Sequence, residues 1–184
     1  MKDVSDPQAQ RVQIRQSEFA IGTTPDTCLF AILGSCVGTA IWDEENKVGG
    51  MNHILLPSVG QGSEDLGMIG LQVNAMEVLI NGIIRAGGTK SNLKAKVFGG
   101  SKMIEGLSDV GDQNVAFVDA FLMDEGIDCV ARSVGGAAGR KVQFWPTTGR
   151  AQQKLIQDSS EIENVLHSPA ELTAGLDKDI EIWK

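Results

Sequence analysis

The stretch "LFAILGSCVGTAIWD", Leu29 to Asp43, places a glycine, a serine and a cysteine between two short apolar runs. Runs of this length predict two buried strands, and Gly34-Ser35 predicts the tight break between them. Cys36 therefore stands directly after a turn, at the start of the second strand. Such a thiol is either a small buried hydrophobic group or a nucleophile that the turn presents to a substrate.

A nucleophilic cysteine needs a lowered pKa or an adjacent base, and the chain has two histidines that could serve. His167 lies in an acidic C-terminal segment, a poor place for a rigid catalytic group. His53 lies in "GGMNHILLP", a predicted strand that the connection Asp43–Gly50 can fold back beside the strand of Cys36. Side chains on antiparallel neighbours approach within about 5 Å, but the sequence leaves the register open.

The rest of the sequence predicts more strands than helices. Strand patterns occur in "RVQIRQSEFAIG", "LKAKVFGG", "GIDCVARSVGG" and "GRKVQFWP". Apolar residues at three- and four-residue steps predict two amphipathic helices, one over residues 66–83 and one around Val115 to Leu122. We expect an α+β fold, an α/β sandwich of mixed β-sheets with helices on the outside.

Composition excludes several classes of protein. A net charge of −8 disfavours nucleic acid, which needs clustered lysine and arginine. No apolar run is long enough to cross a membrane and the N-terminus lacks a secretory signal, so we expect a cytoplasmic protein without membrane insertion. The cysteines, Cys28, Cys36 and Cys129, form no CxxC pair, so free thiols and no metal or cofactor are expected.

The acidity is concentrated at the C-terminal end. Residues 158–184 contain seven acidic and two basic residues, hence a net charge of −5. We therefore expect one domain over residues 1–157 and a flexible acidic tail over 158–184. The alternative is that "DIEIWK" at the end of this tail docks on a partner.

The string "LGSCVGTAIWDEENKVGGMNHILLP" resembles the signature of the CheD family of chemoreceptor glutamine deamidases. The likeness continues through "NAMEVLINGIIRAGG", "KAKVFGGSKM", "VGDQNV" and "SVGGAAGRKVQF". The resemblance implies a cysteine hydrolase with an α/β sandwich fold. It implies conversion of glutamine to glutamate on cytoplasmic helices of methyl-accepting chemotaxis receptors, with glutamyl methyl esters as further substrates of the same route. By position, Cys36 matches the family's nucleophile and His53 its general base.

The sequence departs from the family at one position. The family commonly places a threonine shortly before the Gly-Ser-Cys turn as a third catalytic member, whereas Phe30 or Ala31 stands there in this chain. The contact that orients His53 must then come from a backbone carbonyl, from Thr27 or Thr39, or be absent. Because such a group mainly fixes tautomer and ring orientation, we expect its loss to slow the reaction rather than abolish it.

The glycine-rich breaks and two polar residues each have two interpretations. Gly34-Ser35 either supplies oxyanion donors or is only a turn. Gly99-Gly100-Ser101 and Gly135-Gly136 either border a cleft that admits a receptor helix or are turns. Arg140 either holds an acidic receptor side chain or forms a structural ion pair, and Asn114 is expected to cap a helix or lie in its first turn rather than to act in catalysis.

Two other functions compete with receptor deamidation. CheD proteins bind and stimulate CheC-type phosphatases, so without its threonine this chain could be mainly such an adaptor. Rapid labelling of Cys36 by a thiol probe, ahead of Cys28 and Cys129, would indicate an activated thiol instead. A cysteine protease would share the cysteine–histidine chemistry but would cleave the peptide backbone.

Overall fold

The computed structural model describes residues 10–55, 65–102, 108–157 and 180–183. These residues form two five-stranded mixed sheets and two α-helices. The first sheet has the strand order β1-β3-β8-β9-β10. Its strands are β1 (Gln10–Gln13), β3 (Thr27–Leu33), β8 (Gly139–Phe144), β9 (Ala151–Ile156) and β10 (Ile180–Trp183).

The second sheet has the order β2-β5-β4-β6-β7 and contains the predicted hairpin. Its strands are β2 (Phe19–Gly22), β4 (Val37–Asp43), β5 (Val48–Ile54), β6 (Lys94–Gly99) and β7 (Asp128–Val134). Each sheet has one parallel pair, β1 with β3 and β6 with β7, and is otherwise antiparallel. The expectation of mixed sheets is confirmed.

Both α-helices pack on the second sheet. These are α1 (Asp65–Arg85) and α2 (Ser108–Asp124), and a short 3-10 helix, Lys90–Asn92, precedes β6. Buried side chains of the helices meet the outer face of this sheet in one apolar cluster, which includes Met76, Leu79, Ile83, Val118, Leu122, Ile41 and Val97. No helix among these described residues is long and apolar enough to span a membrane.

A second apolar cluster fills the space between the two sheets. It includes Leu29, Ala31, Leu33, Ala40, Trp42, Met51, Phe98, Val142 and Phe144. Because strand side chains alternate between faces, odd-numbered residues of β3 and even-numbered residues of β4 point into this space. The molecule thus has three layers: helices, one sheet and the other sheet. The turn between β3 and β4 carries the chain from one sheet to the other.

The structure differs from the predicted elements in two places. "RVQIRQSEFAIG" forms β1 and β2 in different sheets, with Ser17 between them at a left-handed φ of 66°. β9 is absent from the predicted strands, because Gln153 is buried and Leu155 is exposed, which hides the apolar alternation.

The C-terminal segment contributes a strand to the first sheet. β10 pairs antiparallel with β9, Ile180 opposite Lys154 and Trp183 opposite Ala151. These residues belong to "DIEIWK", so this part of the segment pairs within its own chain. Residues 158–179, which include His167, lie outside the described residues, and the boundary at residue 157 and the flexibility of the tail stay predictions.

Candidate active site

Cys36 lies in the bend between β3 and β4, half-buried against the apolar cluster between the sheets. Burial raises the pKa of its thiol to about 11, and the main-chain N–H of Cys36 itself acts in the opposite direction. The thiol is therefore protonated at neutral pH. Because the net effect of its surroundings is to raise the pKa of the thiol, a reaction of Cys36 at neutral pH needs a base that takes the thiol proton.

His53 lies on β5, one strand away from Cys36. The register places Gly38 directly opposite His53, and Cys36 lies two residues before Gly38, in the bend that leads into β4. Gly38 contributes no side chain between the imidazole and the thiol. The structure thus supplies the register that the sequence left open, and it brings Cys36 and His53 to one face of one hairpin.

The two ring nitrogens of His53 have different surroundings. Nδ1 lies 3.1 Å from the main-chain carbonyl oxygen of Ile14. A carbonyl can only accept, so Nδ1 carries the hydrogen and Nε2 presents its lone pair. Nε2 is buried and has no hydrogen-bond partner among the described residues. Burial also lowers the pKa of His53, against smaller opposing effects of the Ile14 carbonyl and the Glu18 carboxylate, so at neutral pH the ring is an uncharged base.

The candidate threonines lie elsewhere. Thr27 shares a 2.7 Å hydrogen bond between hydroxyl groups with Thr24. Thr39 alternates with Gly38 along β4 and so points away from His53, to the face that α1 covers. The buried Thr39 hydroxyl has no hydrogen-bond partner. Of the alternatives open from the sequence, the structure therefore shows a backbone carbonyl as the contact of His53.

The two positions that replace the family threonine face opposite ways. Ala31 is buried in the cluster between the sheets, the side on which Cys36 packs. Phe30 alternates with Ala31 along β3, so its ring points to the outer face of the first sheet. Its main-chain oxygen nevertheless accepts a 2.8 Å hydrogen bond from the N–H of Ile14. Phe30 thus helps to hold the residue whose carbonyl meets His53.

Every carbonyl of the turn that carries the thiol is held by a hydrogen bond. The three contacts, each 2.8 Å long, run from the N–H of Ser101 to Gly34, from the side-chain amide of Asn114 to Ser35, and from the N–H of Gly100 to Cys36. The donors come from the end of β6 and from α2. The segment that follows β6 and the helix α2 therefore fix the orientation of three consecutive peptide groups in the turn.

The backbone at residue 99 lies so close to the turn that carries the thiol that only glycine fits there. Gly99 has a φ of +104°, and a Cβ on it would lie 2.1 Å from the carbonyl oxygen of Cys36. The Gly99 carbonyl accepts a hydrogen bond from Gly135, and Gly136 accepts one from Lys102. The stretches from Gly99 and from Gly135 thus lie side by side next to the thiol turn.

Arg140 has a structural environment. Its guanidinium donates to the Ser133 hydroxyl at 3.1 Å and to the carbonyls of Ala138 and Gly135 at 3.1 and 2.7 Å. The side chain is buried, with 5% of its surface exposed. These contacts secure the turn between β7 and β8.

Two residues of the site were missed or misassigned from the sequence. Ile14 takes part through its main chain, and no sequence pattern reports which carbonyl an imidazole will meet. Asn114 lies in the second turn of α2, where its buried amide reaches Ser35, so its expected place at the helix start was wrong. A polar residue among the apolar positions of an amphipathic helix was the available signal. Among the described residues, no three His, Cys, Asp or Glu side chains come together as metal ligands.

Comparison with known proteins identifies the family to which the chain belongs. The family model described as "CheD chemotactic sensory transduction" matches residues 56–155. A Caulobacter vibrioides protein named "Probable chemoreceptor glutamine deamidase CheD" is 40% identical over 97% of this chain and 96% of its own length. The chain belongs to the CheD family.

Further CheD relatives have a higher sequence identity over a smaller share of the chain. Proteins of the same name from Rhizobium meliloti and Agrobacterium fabrum are 46% and 47% identical, over 80% and 79% of this chain. The matched regions cover 81% of the Rhizobium meliloti protein and 80% of the Agrobacterium fabrum protein. The resemblance read from the sequence is confirmed.

Proposed function

We propose that this chain is a chemoreceptor glutamine deamidase that converts receptor glutamine to glutamate through a thioester on Cys36. The observation that carries the proposal is the arrangement of Cys36 and His53. A half-buried thiol and an uncharged imidazole with a free Nε2 lone pair share one face of the β4–β5 hairpin. This arrangement supports general-base activation of a neutral thiol.

In the first half of the reaction, Nε2 of His53 takes the thiol proton as the sulfur attacks the glutamine carboxamide carbon. The electron pair of the carbonyl moves to oxygen and forms a tetrahedral intermediate. When that pair returns, the C–N bond breaks, and the imidazolium gives its proton to the departing ammonia. The product is a thioester between Cys36 and the glutamyl side chain.

In the second half, Nε2 takes a proton from water, and the resulting hydroxide attacks the thioester carbon. The C–S bond breaks, the sulfur regains its proton from the imidazolium, and glutamate is released. A glutamyl methyl ester enters the same route with methanol as its leaving group. Throughout, the Ile14 carbonyl keeps the hydrogen on Nδ1 and supports the positive charge that the ring acquires.

We place this reaction on the cytoplasmic helices of methyl-accepting chemotaxis receptors, and hence in the cytoplasm. The turn at Gly135 and Gly136 supports access by a helix, because a Cβ at either position would have no neighbour within 4 Å among the residues that the structure describes. This open backbone lies next to Gly99 and the thiol turn. The retained thiol and base favour an enzyme over an adaptor, and binding to a CheC-type phosphatase remains a separate proposal, testable by co-purification.

The deciding experiment incubates a receptor cytoplasmic fragment with the wild-type chain, with Cys36→Ala and with Cys129→Ala. Mass spectrometry then maps conversions of amide to acid. We expect conversion with the wild type and with Cys129→Ala, whose altered thiol is exposed and remote in sequence from the turn, and none with Cys36→Ala. Cleavage of the receptor backbone would indicate a protease instead, and conversion by Cys36→Ala would refute the mechanism.

A further inference from the structure

The carbonyl of Ser35 is held by a side chain, whereas its two neighbours in the turn are held by main-chain amides. That side chain belongs to Asn114, which is fully buried on α2 and donates from Nδ2 across 2.8 Å. Asparagine is a poor helix former, and burying its amide among apolar groups is costly unless it is hydrogen-bonded. The contact to Ser35 connects α2 to the peptide that precedes the thiol.

The geometry of a trans peptide turns this contact into a constraint on Cys36. The C=O of Ser35 and the N–H of Cys36 belong to one planar group and point in opposite directions, and the described residues contain no cis peptide. Asn114 holds the oxygen on the side of α2. The N–H of Cys36 is thereby directed to the other side.

We propose that Asn114 is a positioning residue, which orients the Cys36 N–H as a hydrogen-bond donor to the oxyanion of the tetrahedral intermediate. This inference rests on the proposed function. In the step concerned, the S–C bond forms and the carbonyl electron pair moves to oxygen, which accepts the Cys36 hydrogen bond. The pair returns as the C–N bond breaks and ammonia leaves with the proton from His53.

A purely structural role for Asn114 predicts different kinetics. If the amide only keeps the turn folded, its loss slows every reaction of the thiol. If it orients an oxyanion donor, its loss slows only reactions that form an oxyanion. Alkylation of Cys36 by iodoacetamide is a displacement at a saturated carbon and forms none, so it reports on the thiol and His53 alone.

The test compares Asn114→Leu with the parent chain in a Cys129→Ala background, where Cys36 is the accessible thiol because Cys28 is fully buried. Asn81→Leu, at an exposed position of α1, is the matched control. We expect kcat for ammonia release from the receptor fragment to fall about 10- to 100-fold, with KM and the alkylation rate within about twofold of the parent. Asn81→Leu should leave all three values unchanged.

Two results would overturn the inference: an unchanged kcat in folded Asn114→Leu, or a fall in kcat that the alkylation rate matches. If Asn114→Leu does not fold, Asn114→Ser, which removes volume but keeps a hydroxyl, is compared in the same way, and the same two results count against the inference. An inactive parent chain would refute the proposed function and this inference together. An active parent with an unaffected Asn114 variant refutes this inference alone.

Discussion

His53 and Ile14 meet through a 3.1 Å hydrogen bond from imidazole Nδ1 to a main-chain oxygen. The segment that follows Ile14 also holds the main chain of His53, whose N–H donates to Glu18 and whose carbonyl accepts from Ser17, at 3.0 and 2.8 Å. The connection between β1 and β2 therefore fixes the ring and the backbone of the proposed base together. Under the proposed function, this backbone carbonyl orients the ring, the role that the resemblance to the family assigns to a threonine.

The first prediction is that restoring a threonine does not increase activity. From the sequence alone, Phe30→Thr or Ala31→Thr would be expected to restore a missing contact. In the structure Nδ1 already has its acceptor, Phe30 faces away, and Ala31 is packed in the core. Steady-state deamidation should therefore not rise above wild type in either variant, and Ala31→Thr should be less stable by about 1–3 kcal/mol. A severalfold gain in kcat would show that Ile14 does not fulfil the role.

The second prediction concerns pH. Because the reactive form has an uncharged His53 and a protonated Cys36, kcat/KM should fall only when acid protonates the ring. Burial lowers the His53 pKa, so this fall lies below the ordinary value of 6.5. The Cys36 pKa of about 11 leaves no loss of rate between neutral pH and about pH 9. A thiolate–imidazolium pair would instead lose activity on the alkaline side as its imidazolium deprotonates.

Acid unfolding must be separated from this effect. The native state buries a neutral His53, so the unfolded chain binds more protons and stability decreases as pH falls below 6.5. Circular dichroism at each pH identifies the range in which the fold is intact. A loss of activity in the folded range near pH 8, reversed by returning to pH 7, would contradict the prediction.

The third prediction concerns the order of thiol labelling. Cys129 is exposed, Cys36 is half-buried, and Cys28 is fully buried with a pKa also near 11. At neutral pH iodoacetamide should label Cys129 first, Cys36 more slowly and Cys28 only on unfolding, because burial keeps the Cys36 thiol protonated until His53 takes its proton. The order expected from the sequence, with Cys36 ahead of Cys129, is therefore replaced as a criterion by the effect of His53 on the labelling rate of Cys36. His53→Ala should slow Cys36 labelling about 10-fold and leave Cys129 unchanged, because only Cys36 depends on that base. Equal labelling rates of Cys36 in the wild type and in His53→Ala would contradict the proposal that His53 is the base for Cys36.

The sequence was a reliable guide to elements with a strong apolar pattern. The β4–β5 hairpin was predictable because two apolar runs flank a polar connection, and it pairs the strand that directly follows Cys36 with the strand that carries His53. β9 was not predictable, because its buried Gln153 replaces the apolar residue that alternation would require. The pairing of β10 depends on contacts between residues far apart in the chain, which local patterns do not report.

In the candidate site, too, some features were predictable from the sequence and others depend on packing. Side-chain chemistry identified Cys36 and His53, because few residue types can act as nucleophile and base. A backbone carbonyl was one of the contacts expected for His53, but that it belongs to Ile14, and that Asn114 contacts Ser35, were not predictable, because both depend on how separate parts of the chain pack together. The departure from the family's threonine suggested a weakened enzyme, whereas the structure shows another acceptor in its place.

The fourth prediction tests the turn itself through Gly99. Gly99→Ala puts a Cβ 2.1 Å from the Cys36 carbonyl oxygen at a φ of +104°, whereas Gly126→Ala, at +68°, meets nothing within 4 Å. Gly126→Ala should cost only the backbone strain, about 1–2 kcal/mol of unfolding free energy, and leave kcat unchanged. Gly99→Ala should cost roughly 3 kcal/mol and reduce kcat about 100-fold, because the nucleophile moves with its carbonyl. Denaturant unfolding and deamidation rates check both, and equal kcat values in the two variants would show that the contact between Gly99 and Cys36 does not position the thiol.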